Sequence, residues 1–118
     1  MTQKKFENII FKSFLHLDPI YLSELDNAVN YYFLTKSELI VEISYQFNYF
    51  KSKGVTSLIP RPIRCQYCFP DAKAYEFINP KNNLIIERYV INKENNGSYT
   101  FHLCGNSLPE VGTEIPPF

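Results

Sequence analysis

The chain has no tryptophan, only four glycines in 118 residues, and no surplus of charge of either sign. Each shortage excludes something. Loops that bring the backbone close to a phosphate need clustered glycine, and no such cluster occurs. G-x-S-x-G and H-E-x-x-H are also missing. Twelve Lys and Arg balance twelve Asp and Glu, so the chain lacks the positive field of a general phosphate-backbone binder. No apolar run approaches the length of a membrane span. The apolar stretch after Lys4-Lys5 is broken by Glu7, Asn8, Lys12 and Ser13, so no signal-peptide core is visible. The three cysteines are odd in number and fit a reducing compartment better than a disulfide framework. A soluble, cytoplasmic protein without a membrane segment is expected.

What is present is apolar and aromatic. Hydrophobic residues make up 45% of the chain and aromatic ones 16%, enough for a packed core. One domain over residues 1–118 is expected, with a helical part at 3–54, a β part at 57–104 and an irregular tail at 105–118.

Phe6, Ile9, Ile10, Phe14 and Leu17 recur at helical spacing. Asp18-Pro19 is a helix start, and Leu22, Leu25, Val29, Tyr32 and Phe33 extend a second helix to about Leu34. Thr35-Lys36-Ser37-Glu38 is a capping box that opens a third helix, which Gly54 closes. Beyond it the pattern turns to strands. Ser57-Leu58-Ile59 and Ile63-Arg64-Cys65 are strand pieces broken by Pro60 and Pro62, which belong on an edge or at a bulge. Tyr75 to Ile78, Leu84 to Ile91 and Tyr99 to Cys104 read as further strands. The turns between them fall at Asn79 to Asn83 and at Asn95-Asn96-Gly97. The expected fold class is α+β: three N-terminal helices packed on a C-terminal antiparallel sheet of about four strands. That element order is like the cystatin-like and nuclear-transport-factor-2-like architectures.

One constellation carries chemistry. Cys65-Gln66-Tyr67-Cys68 is a CxxC knuckle, and His102 and Cys104 are two apart on a strand, so they point to one face. Three thiolates and one imidazole compose a tetrahedral structural zinc site. Zinc is therefore the candidate cofactor, with Cys65, Cys68, His102 and Cys104 as ligands. Against it stands the reading of Cys104 as a small buried apolar residue with His102 in solvent. Redox work by the CxxC is less favoured, because no helix clearly begins there.

On Cys65, Cys68, Tyr75, Phe77 and Cys104, with Tyr32-Phe33 and Lys36 upstream, the chain resembles small proteins common in Bacteroidetes. These carry helices, then a CxxC, an aromatic strand, a hairpin and a final cysteine. The resemblance spans residues 20 to 104 and implies no activity. The chain departs from the pattern in lacking glycine after the CxxC and before the aromatic strand.

The aromatic residues at 31–33 and 45–50 cover more than one helical face, so some rings are expected in solvent, where they mark interaction surfaces. Tyr31, Tyr45, Tyr49 and Tyr67 are the candidate partner contacts. Lys51, Lys53, Arg61 and Arg64 are the candidate nucleic-acid contacts, since basic residues beside aromatics grip single strands. The leading reading is a non-enzymatic binding or inhibitor protein that occupies a partner protein's surface. Immunity proteins and phage-type inhibitors of bacterial defence enzymes share this profile. The alternatives are a small-molecule or enzymatic pocket between helix and sheet, with His102 or Glu76 inside, and a weak single-strand nucleic-acid binder.

Overall fold

The computed structural model describes residues 1–27, 30–63 and 73–103. A helical N-terminal part is followed by a four-stranded antiparallel sheet. The α+β class expected from the residue pattern is the one observed. Among the described residues, no helix is long and apolar enough to cross a membrane.

Helix α1 spans Gln3–His16. The Thr2 hydroxyl caps it by accepting from the Lys5 N–H at 3.0 Å. It ends at Leu17, which holds a left-handed φ of 47°. The Leu17 N–H donates to Phe14 O and the Asp18 N–H to Ser13 O, satisfying the last carbonyls. Asp18 then caps a 3-10 segment, Pro19–Glu24, by accepting from the Ile20 N–H.

Here the structure corrects the sequence reading. The second helix stops at Glu24 and does not run to Leu34. The reason is long-range: Tyr99 donates its N–H to Asn30 O at 2.9 Å, and Tyr32 donates to Tyr99 O at 2.8 Å. Pairing with a strand far along the chain outcompetes the helical period at residues 30–32.

Helix α2 spans Lys36–Ser52 and opens with the expected reciprocal bonds between Thr35 and Glu38. Gly54, at φ 84°, follows its end.

The strands are β1 (Ile59–Ile63), β2 (Ala74–Asn79), β3 (Leu84–Lys93) and β4 (Tyr99–Leu103), in spatial order β1-β2-β3-β4. Strand β1 lies at an edge, as its prolines require. An antiparallel bridge needs a donor from each strand. In β1 only Ile59, Arg61 and Ile63 carry an N–H, so these face β2 and both prolines face outward. A bulge shifts the β2–β3 register between Phe77 and Ile78. Gly97, at φ 89°, closes the β3–β4 hairpin where Asn95-Asn96-Gly97 placed it.

One face of the sheet packs on the helices. Phe14 is the centre: its ring stacks on Phe77 at 4.2 Å and meets Phe47, Tyr89 and Phe101 edge-on or tilted. Phe6 meets Tyr99 edge-on at 4.8 Å, and Phe11 meets Tyr75 at 4.9 Å. These ring pairs add to the area they bury, at about 0.5–1.5 kcal/mol each.

Candidate functional site

Sheet register sorts the polar residues onto the other face. Arg61 lies opposite Glu76, and Glu76 opposite Arg88, one row across three strands. Glu76 is 5% exposed and takes both guanidinium groups, Arg61 on Oε1 and Arg88 on Oε2 at 3.3 Å. In the next row Ile63, Ala74, Val90 and His102 stand side by side. His102 Nδ1 lies 2.7 Å from Leu103 O. A carbonyl only accepts, so Nδ1 is the donor in that contact, and Nε2 takes no part in it.

His102 is the one expected zinc ligand within the described residues; Cys65, Cys68 and Cys104 lie outside them. Among the described residues, no group of three or more His, Cys, Asp or Glu side chains is arranged to hold a metal. The expected pocket between helix and sheet is filled at its centre by Phe14 and its ring neighbours. Glu76 and His102 do not enter that space, since register turns both to the opposite face.

The candidate partner tyrosines divide. Tyr31 is a correction: it is fully buried, stacked on Tyr99 at 5.4 Å, and its hydroxyl donates to Asp26 O at 2.8 Å. Its ring and hydroxyl are both taken up inside the fold, so it is not an exposed partner contact. Tyr45 is 78% exposed on α2, one turn beyond the exposed Val41. Tyr49 is half-buried, with Lys53 Nζ 5.7 Å from its ring centre. Tyr67 lies outside the described residues.

The candidate nucleic-acid contacts do not share one face. Lys51 and Lys53 end α2 in the helical layer. Arg61 is on the far side of the sheet and bound to Glu76, and Arg64 lies outside the described residues.

The sequence reading missed an unusual stretch of backbone at residues 31–34. Tyr31 and Leu34 exchange both backbone bonds, at 2.8 and 3.2 Å. The two residues between them, Tyr32 and Phe33, have φ 51° and 70°. This is a two-residue turn with both central residues left-handed, a site that favours Asn-Gly or Gly-Gly. A Cβ in that region costs about 1–2 kcal/mol per residue. Asn30 supports the turn, its Oδ1 accepting from the Phe33 N–H. The rings gain little from the core: Tyr32 is 48% exposed and Phe33 83%. Tyr32 lies against His102 with centroids 4.4 Å apart, and Phe33 lies against Tyr32 at 5.1 Å. A short column of rings thus runs from the sheet out into solvent. The turn was hidden in sequence because neither central residue is a turn former. Asn30, a common residue ahead of turns, was its only local sign.

Burial raises the phenol pKa of Tyr31, Tyr75, Tyr89 and Tyr99 above the ordinary value. For Tyr75 the hydrogen bond to Glu7 Oε2, at 2.6 Å, adds to the effect. These hydroxyls are structural donors at neutral pH.

No protein family matches the chain, and no curated protein or solved structure is similar to it.

Proposed function

We propose that this chain is a non-enzymatic binding protein that inhibits or neutralises a partner protein by occupying its surface. Phe33 and Tyr32 act as the anchor. The observation that carries the reading is the left-handed turn that holds two aromatic rings in water. Strained backbone persists where function needs the geometry, and large exposed rings are the side chains that dominate protein interfaces. Tyr45 with Val41 on α2 forms a second exposed apolar contact in the same reading. An immunity protein or a phage-type inhibitor of a defence enzyme, working in the cytoplasm, is the role this profile fits.

Two earlier expectations travel with the proposal. The first is a cystatin-like or nuclear-transport-factor-2-like arrangement of helix on sheet. The second is a structural zinc held by Cys65, Cys68, His102 and Cys104, for which the available Nε2 of His102 is supporting.

The test is comparative affinity capture from native extracts. Wild-type protein and a Tyr32→Asn/Phe33→Gly variant, both shown to be folded, are immobilised side by side. The wild type is expected to retain a protein in stable stoichiometry and the variant to lose it. Equal retention by both, or no partner in any extract, overturns the reading.

A further inference from the structure

We infer that the exposed face of α1 is a docking cleft for an acidic peptide segment of a protein partner. The inference rests on the binding-protein reading and names the chemistry of a further contact.

A cleft of about 400 Å³ runs along α1, lined by Lys4, Lys5, Asn8, Ile9, Lys12 and Glu24. The arrangement follows from helical spacing. Lys4, Asn8 and Lys12 are four apart and form one stripe, with Lys5 and Ile9 as the stripe beside it. Ile9 is buried and gives the cleft an apolar floor. The 3-10 segment supplies the opposite wall through Glu24.

All three lysines are exposed, and among the described residues none is paired with a carboxylate. Lys4 and Lys5 stand in the first turn after the Thr2 cap, where the helix end adds positive potential, and Lys12 stands two turns on. Three amines with one carboxylate across from them leave an uncompensated positive strip on a chain of zero net charge.

Spacing and chemistry select the ligand. Lys4 and Lys12 are separated by about 12 Å of helix rise, at 1.5 Å per residue. An extended peptide repeats its side chains on one face about every 6.6–6.8 Å, so acidic residues at alternate positions span that strip. Single-stranded nucleic acid is disfavoured, because it needs open ring faces for base stacking. The ring beside the cleft is Tyr21, already covered by Lys12 Nζ at 4.9 Å and tilted against His16 at 5.3 Å.

The experiment uses a fluorescent peptide of alternating glutamate and serine, followed by anisotropy at low and raised salt. The wild type is expected to bind it with an affinity that falls as salt rises. Lys4→Glu/Lys12→Glu should weaken binding at least roughly tenfold, whereas Lys51→Glu on α2 should leave it unchanged. Circular dichroism and thermal melting confirm that the variants are folded. Equal binding by the wild type and the double variant overturns the inference. So does tighter binding of an oligothymidylate of the same charge, which would assign the cleft to nucleic acid. The Tyr32→Asn/Phe33→Gly variant should still bind the peptide. A cleft that fails is thus told apart from an anchor that fails.

Discussion

Gln3 completes the sheet for Ile91. Its Nε2 donates to Ile91 O at 2.8 Å, and its Oε1 accepts from the Lys93 N–H. Strand β2 begins at Ala74, opposite Val90, and just before it Lys73 O accepts from the Ile91 N–H at 2.8 Å. The side-chain amide continues the ladder and pins the first turn of α1 to the sheet. Gln3→Ala is expected to cost about 1 kcal/mol in chemical denaturation, because two backbone groups turn to water. Hydrogen exchange at the Lys93 amide should accelerate. Gln3→Glu should be worse than alanine, since it loses the donor and places a carboxylate beside Glu7, which Gln3 now contacts at 2.8 Å.

The left-handed turn predicts a stability gain on losing its rings. Phe33→Gly relieves about 1–2 kcal/mol of strain, and Tyr32→Asn relieves part of the same, since asparagine tolerates the left-handed region. Against this stand the entropy of the new glycine and the lost contact with His102. A net stabilisation of about 1 kcal/mol is expected, a rise of about 4 °C in Tm for a domain of this size. Phe33→Ala keeps the strain and removes an exposed ring, so Tm should hardly move while partner capture is lost. A drop in Tm for the double variant would show that the rings, not the backbone, dominate the energetics of the turn.

Glu76 anchors two positive charges, so its loss should be felt more than the loss of either arginine from the rim. Glu76→Gln keeps shape but leaves the half-buried Arg88 without this carboxylate. Hydrogen bonds to charged groups contribute about 1.5–3 kcal/mol, and a destabilisation near the middle of that range is expected. Arg61 is largely exposed, and Arg61→Ala should cost about 1 kcal/mol or less. Urea denaturation of the two variants checks the order.

Alkaline pH should unfold the protein through its buried phenols. Tyr31, Tyr75, Tyr89 and Tyr99 hold their protons more tightly folded than unfolded. Their contribution to stability is complete below the unfolded value of about 10, and it is lost as pH rises from there toward the raised folded values. A spectrophotometric titration should therefore show a late group of tyrosines that ionises together with the loss of helix signal. Ionisation of all tyrosines at one ordinary value in the folded state would contradict the burial described above.

Local signals in the sequence translated into structure, and long-range pairings did not. The Thr35–Glu38 box, Gly97 and the prolines of β1 each act within a few residues, so spacing alone places them. Residues 25–34 carry an equally good helical period, yet Tyr99 captures Asn30 and Tyr32, and no local pattern announces a partner so far along the chain. The same blindness hid Tyr31: its ring looked like surface because its contacts are Phe6 and Tyr99. The lysines of α1 fall between the apolar positions of its helical period. That they border a cleft depends on where the 3-10 segment folds back.

The zinc expectation makes a prediction independent of any partner. Native protein should carry about one equivalent of zinc, and chelation should lower its Tm, since binding energy at such a site is folding energy. His102→Ala should reduce the zinc content. Metal below about a tenth of an equivalent in native protein would remove zinc from the proposal.

The prolines of β1 also decide how the molecule meets copies of itself. Another chain approaching that side of the sheet finds carbonyl acceptors at Pro60 and Pro62 but no hydrogen to offer in return. It cannot zip on as an additional strand. An aromatic-rich protein is thereby barred at this border from the stacking that seeds fibrils, and it can be held at high concentration without polymerising from that side.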